Sequence, residues 1–184
     1  MELTAERLRE CGVFAISGFC SQGACVHIRA AMDRGVASRA QIYADGYCVH
    51  EGVRRAFEVD VDETLIDEVQ RALDSIRAQV AQFFGTPLSG EEGPGFVRYA
   101  CGGFYRVHCD VAPGQEEFPR RISIIVFLTT AGVEFEGGAL RLYGRRAHEI
   151  APRAGTLVAF PSDVPHEVLP VTAGVRDTIV DWFY

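Results

Sequence analysis

The chain contains no lysine and no asparagine, so all 18 of its basic residues are arginine. Without lysine there is no Schiff-base amine and no phosphate-loop lysine. Without asparagine there is no N-linked glycan acceptor. An anionic ligand must then be held by arginine, histidine or backbone. The six cysteines (Cys11, Cys20, Cys25, Cys48, Cys101 and Cys109) include no Cys-x-x-Cys pair, and their spacing does not suit a zinc site. No apolar run approaches the roughly 18 residues of a membrane-spanning helix. The opening Met-Glu-Leu-Thr-Ala-Glu-Arg is acidic and helical in character, unlike a secretory leader. These absences predict a reduced, cytoplasmic protein with free thiols and no membrane partner.

What is present is enough for a packed core. The chain has 184 residues, 48% of them hydrophobic. That length predicts one domain, residues 1–184, stable without disulfides or a structural metal. Net charge is −7, from 18 basic and 25 acidic residues. An acidic balance argues against a general nucleic-acid binder.

The first part, residues 1–95, reads as helical support around a loop-rich middle. Helices are expected over Leu3 to Glu10 and Ser21 to Arg34, the latter with Val26, Ile28 and Met32 inward, and a strand over Gly12 to Ile16. Leu65, Ile66, Val69, Leu73, Ile76, Val80 and Phe84 recur at helical spacing and predict one long helix. Asp62 or Thr64 can cap it, and Gly85 with Pro87 stops it. The stretch 85–95, rich in glycine and proline, is a connection inside the domain. Residues 96–184 are β-rich, with seven short strands broken by Gly, Pro and Asp. A helical block followed by such strands predicts an α+β fold: a sandwich or jelly roll with helices packed on one sheet.

Two histidines stand out. His108 and Asp110 flank Cys109 on an expected strand, so alternation puts both side chains on one face and turns Cys109 away. His166 opens another strand 58 residues later. Two histidines and one carboxylate converging at the mouth of a barrel leave adjacent metal positions open, which suits non-haem Fe(II). Alone, His-x-Asp on a strand is more often structural. Ten residues beyond His166 stands Arg176. An arginine aimed into a barrel is costly without an acid, and a dicarboxylate ligand would supply one to the guanidinium fork. Tyr99, nine residues before His108, could share that carboxylate. The plainer alternative is a surface Arg176 paired with Asp177 or Asp181.

The segment Arg98-Tyr99, Gly102-Gly103-Phe104-Tyr105, His108-Cys109-Asp110 resembles the prolyl-4-hydroxylase-type 2-oxoglutarate and Fe(II)-dependent oxygenases. Gly137-Gly138-Ala139-Leu140-Arg141-Leu142 is similar to that family's turn into a strand. Pro152 to Phe160, then His166-Glu167-Val168-Leu169-Pro170-Val171, Gly174, Arg176, Ile179 and Trp182, follow in the family's order. The likeness covers Phe96 to Tyr184 well and the N-terminal half loosely.

The resemblance implies a double-stranded β-helix, the jelly roll, as catalytic core over 96–184. It implies that His108, Asp110 and His166 hold Fe(II). Arg176 would pair with the distal carboxylate of 2-oxoglutarate, Tyr99 would hydrogen-bond it, and Trp182 would pack beside it. Oxygen would be the co-reactant, and succinate, carbon dioxide and a hydroxylated aliphatic carbon the products. Whether ascorbate keeps the iron reduced stays open. Retention of Asp110 favours hydroxylation over halogenation. The nucleic-acid demethylase branch is disfavoured, because Trp182 stands where that branch carries a second arginine. In such proteins the region equivalent to Ala37 to Phe57 forms a loop or strand pair over the site, so Tyr43, Tyr47, His50, Arg54 and Arg55 are candidate substrate contacts. Arg141, opposite in face to Leu140 and Leu142, is another. His148, after Arg145 and Arg146, is expected in a solvated turn. Three readings follow. The first is a hydroxylase of prolyl or other residues in a protein or peptide. The second is a hydroxylase of a free amino acid or metabolite. The third is a catalytically silent sensor of metal or 2-oxoglutarate. Oligomeric state is not readable.

Overall fold

A computed structural model describes residues 5–43, 46–111, 119–144 and 147–184. Leu3, Arg145 and Arg146 lie outside them. Helix α1 (Ala5–Glu10) leads into strand β1 (Phe14–Ile16). Ser21 caps α2 (Gln22–Arg34), its hydroxyl accepting the Ala24 N–H at 3.1 Å. The inward face of α2 is Cys25, Ile28, Ala31 and Met32, at helical spacing. Val26 falls off that face and is exposed, contrary to expectation.

The expected loop region carries five short strands: β2 (Val36–Arg39), β3 (Ile42–Tyr43), β4 (Tyr47–Cys48), β5 (Arg54–Arg55) and β6 (Phe57–Asp60). Asp62 then caps α3 (Glu63–Asp74). The expected single long helix is two, because α3 ends at Ser75 and α4 (Arg77–Phe84) restarts after Ile76. The Ser75 hydroxyl bonds back to the Ala72 carbonyl at 2.7 Å. That side-chain bond competes with the helical ladder and breaks it. Leu73, Ile76 and Val80 stay buried across the break, so the apolar period survives while the helix does not.

Among the described residues nine strands follow: β7 (Gly95–Ala100), β8 (Phe104–His108), β9 (Ile122–Phe127), β10 (Phe135–Gly137), β11 (Leu140–Tyr143), β12 (Ala147–Ile150), β13 (Leu157–Pro161), β14 (His166–Val168) and β15 (Val171–Phe183). Strands β10 and β12 were not expected. His148 lies in β12 rather than in a turn, paired with Leu142. Strand β15 begins at Val171, seven residues before the expected Thr178.

The larger sheet runs β1-β13-β9-β15-β7-β6-β2, with β10 also on β15; the smaller runs β12-β11-β14-β8-β5; β3 and β4 form a hairpin. All six residues of β9 are buried because both its faces are covered. Ile122, Ile124 and Val126 join the core under α2, α3 and α4. Ile125 and Phe127 face Leu140, Leu142 and Phe160 between the sheets. Helices on one sheet of a two-sheet jelly roll is the fold expected. All six cysteines are free. No helix among the described residues is long and apolar enough to cross a membrane.

Candidate active site

Between the sheets lies a cavity of about 500 Å³, lined among others by Tyr99, Tyr105, His108, Asp110, His166 and Trp182. The smaller sheet brings His108, the last residue of β8, opposite His166, the first of β14. Asp110 lies two residues beyond the end of β8, where its N–H donates to the Ser162 carbonyl at 2.9 Å. The three side chains offer donor atoms all within 4.8 Å of one another. Each histidine Nε2 is 3.5 Å from an Asp110 oxygen.

The outward ring nitrogens fix the tautomers. His108 Nδ1 is 2.8 Å from the Arg106 carbonyl, and His166 Nδ1 is 3.0 Å from that of Val164. A carbonyl only accepts, so each Nδ1 holds a proton and each Nε2 turns a lone pair to the cluster. Burial lowers the His166 pKa and keeps the ring neutral. Burial alone would raise that of Asp110, but a proton donated by His108, the charge His166 carries when protonated and the Ser123 hydroxyl hold it well below the usual carboxylate range. Ser123 Oγ donates to Asp110 Oδ2 at 2.6 Å and is itself 3.0 Å from Ser162 Oγ. Two neutral imidazoles and one carboxylate, on one side of a cavity, fit a first-row divalent ion with open positions.

Arg176, from β15, is 1% exposed. Its Nε donates to the Gly138 carbonyl at 2.9 Å, while its Nη2 is buried without a partner. Burial lowers its pKa to about 10. Neither alternative partner reaches it. Asp177, on the other face of β15, is held by both Arg98 Nε and Nη2 at 2.8 and 2.9 Å. Asp181 Oδ1 accepts the N–H groups of Gly93 and Trp182. A buried guanidinium with a free N–H and no acid is a receptor for a ligand carboxylate. Gly138, with φ 61°, lets this packing close: a Cβ there would stand 3.0 Å from Arg176 Cδ. The ring of Tyr99, from β7, lies 5.1 Å from the Arg176 guanidinium carbon.

The other expected site residues divide. Tyr43, Tyr47, Arg54 and Trp182 line the cavity; Arg55, Arg141 and His50 do not. Arg141 sits on the outer face of the smaller sheet, tied to Glu149 at 2.6 Å and Glu167 at 2.9 Å. Alternation took it off the Leu140 face, as expected, but that face is the inner one. Arg55 is exposed and stacks over Phe104 at 5.6 Å. Cys109 donates to the Asp163 carbonyl, away from the cluster.

Sequence reasoning missed Tyr105, Arg120 and Ser123. Tyr105 stacks on His108, ring centroids 3.5 Å apart. Their odd spacing would place them on opposite faces of a regular strand. The ladder pairs His166 with His108 but Val168 with Tyr105, so β8 holds one extra residue there. That bulge brings both rings to one face. Arg120 stacks over Trp182 at 3.7 Å and grips Glu92 with two bonds of 2.6 Å. Only its proximity to the His-x-Asp motif could have signalled it.

The profile of the 2OG-Fe(II) oxygenase superfamily matches residues 94–184. A PKHD-type hydroxylase of Stenotrophomonas maltophilia (strain K279a) is 41% identical over 96 residues, 48% of this chain and 41% of the relative. The chain thus spans about two fifths of the length of such relatives. Among solved structures, a Pseudomonas putida prolyl-4-hydroxylase superposes with a TM-score of 0.74 at 26% identity, covering 97% of this chain and 95% of that one. A Trichoplax adhaerens prolyl hydroxylase, solved with a hypoxia-inducible-factor peptide fragment, shares the fold at a TM-score of 0.79 and 23% identity, covering 99% and 87%. Motif order, metal cluster, profile and fold agree: the chain belongs to the 2-oxoglutarate/Fe(II) oxygenase superfamily of prolyl-hydroxylase type.

Proposed function

We propose that the protein is a 2-oxoglutarate- and Fe(II)-dependent dioxygenase that hydroxylates an aliphatic C–H of a prolyl or other residue in a protein or peptide. One observation carries this reading. The His108–Asp110–His166 donor set and Tyr99 line a single cavity, and beside Tyr99, on the neighbouring strand β15, stands the acid-free buried Arg176. His108, Asp110 and His166 would hold Fe(II). Arg176 and Tyr99 would take the distal carboxylate of 2-oxoglutarate. Iron and 2-oxoglutarate, when bound, draw an oxidising equivalent from dioxygen with release of succinate and carbon dioxide. The chain's own share is placement. The Arg106 and Val164 carbonyls orient the imidazoles, Ser123 steadies Asp110, and the apolar walls from Ile125, Leu140 and Val180 exclude water.

The mouth supports a peptide. Tyr43 and Tyr47 stand on the β3–β4 hairpin, 49% and 69% exposed, edge to face at 5.3 Å. Exposed aromatics at a cavity rim suit an extended chain. We take residues 1–184 as one catalytic domain working in the reducing cytoplasm. The test is succinate release from 2-oxoglutarate by anaerobically iron-loaded protein on admission of air. Stimulation by proline-containing peptide pools supports the reading. Stimulation by free amino acids alone moves the substrate to a metabolite. No succinate, with tight iron binding, overturns the enzyme reading in favour of a sensor.

A further inference from the structure

The turn between β13 and β14 packs against the chain just past β8. Cys109 Sγ donates to the Asp163 carbonyl at 3.3 Å, and the Asp110 N–H to the Ser162 carbonyl at 2.9 Å. The Ser162 N–H is itself fixed by the Arg121 carbonyl at 2.9 Å. From the same turn the Val164 carbonyl orients His166. Ser162 and Ser123 are 0% and 1% exposed, so their hydroxyls depend on protein partners. Ser123 shares the inner face of β9 with Ile125 and Phe127. Its hydroxyl has two partners: Asp110 Oδ2 at 2.6 Å and Ser162 Oγ at 3.0 Å.

Proton count gives these two bonds a direction. A hydroxyl has one proton and a carboxylate has none. The 2.6 Å contact therefore takes the Ser123 proton. None is left for Ser162, so the 3.0 Å contact carries the Ser162 proton to Ser123 Oγ. The two hydroxyls form a relay, from Ser162 to Ser123 to Asp110, in which each bond polarises the next. We propose that Ser162 is a positioning residue for Asp110: its carbonyl fixes the Asp110 backbone, and its hydroxyl, by donating to Ser123 Oγ, holds that oxygen in place and strengthens the bond it makes to Asp110 Oδ2. The larger sheet thus orients a carboxylate that the smaller sheet supplies, and one turn sets two of the three donor side chains. This rests on the reading that His108, Asp110 and His166 hold a divalent ion.

A double-mutant cycle on Mn(II) affinity, read by EPR titration without turnover, tests it. Ser162→Ala deletes the hydroxyl and keeps the carbonyl. It is expected to weaken Mn(II) binding about fivefold, the order of one neutral hydrogen bond, with an unchanged circular dichroism spectrum. In the Ser123→Ala background the relay is already broken, and Ser162→Ala is expected to cost no more. A purely structural role would instead cost the same factor in both backgrounds. Ser162→Cys, similar in volume and a weaker donor, is expected to lose part of that factor. It replaces Ser162→Ala in the cycle if that variant does not fold. Unchanged affinity in Ser162→Ala, or equal factors in the two backgrounds, overturns the proposal. Failure of the folded wild-type protein to bind Mn(II) overturns the donor-set reading, and the proposal with it.

Discussion

Replacing Arg176 by methionine should make the metal-loaded, ligand-free protein more stable and its 2-oxoglutarate complex less so. The buried guanidinium is shifted from 12.5 to about 10 by desolvation. Each unit is worth about 1.4 kcal/mol, so its charge costs the folded state about 3 kcal/mol. Methionine keeps most of the volume and removes that cost. Against this stands the loss of the bond to the Gly138 carbonyl, worth about 1.5–3 kcal/mol for a charged donor. The net expectation is a gain of up to about 1.5 kcal/mol, or a rise of at most roughly 3–6 °C in Tm for a chain of this size. A ligand at a hundred times its Kd stabilises by about 2.7 kcal/mol. Wild-type protein should gain that from 2-oxoglutarate, and Arg176→Met should gain almost nothing. The two melting curves, followed anaerobically with Mn(II) in place, should change order when 2-oxoglutarate is added. A ligand-free variant melting well below wild type would show that the charge is already compensated. A full 2-oxoglutarate shift in the variant would show that the carboxylate binds elsewhere. Either result refutes the assignment.

Three further outcomes are expected. Ser123→Ala removes the 2.6 Å bond to Asp110 Oδ2 and should weaken Mn(II) binding by about tenfold, with an unchanged circular dichroism spectrum; equal affinity by EPR titration would count against the role given to Ser123. Asp181 is buried, with Oδ2 unpartnered, and burial raises its pKa from 3.8 to about 6. The folded state therefore holds a proton that the unfolded chain releases. Stability falls by up to about 3 kcal/mol as pH rises from about 4 to 6 and is flat above. Asp181→Asn should flatten that fall and raise Tm at pH 8 but not at pH 4; parallel profiles would refute it. Arg141→Ala should leave 2-oxoglutarate affinity untouched, because its side chain lies on the outer face among Glu149 and Glu167; a raised KM for the cosubstrate would overturn that placement.

The core chemistry was legible because it sits on elements whose patterns are strong. His108 and Asp110 are two residues apart, so they share a face even though the strand has ended before Asp110. Arg176 lies two residues before the expected strand start at Thr178, so its inward direction came from the resemblance and not from counting along the strand. The N-terminal half was harder. Strands β3, β4 and β5 have two residues each, too few for alternation to show. They are held by pairing with distant segments rather than by local preference. The break at Ser75 was equally hidden, since Leu73, Ile76 and Val80 keep the helical period on both sides of it.

The two failures of alternation have one cause with opposite effects. Counting in twos along β8 excludes Tyr105 from the face of His108, and counting along β11 leaves Arg141 free to enter the mouth. Alternation supplies only the relation between neighbours; which face is inner comes from the whole sheet, and a bulge inverts the count midway. In β11 the register with β14 sets Leu142 opposite His166 and Arg141 opposite Glu167, so the leucines share the face of His166. In β8 the extra residue lets Tyr105 and His108 both face the cavity. The bulge also seats Tyr105 under the Arg54 guanidinium. One irregular residue in β8 therefore links His108 of the donor set to the strand that carries Arg54, and it is the kind of feature that only the paired structure displays.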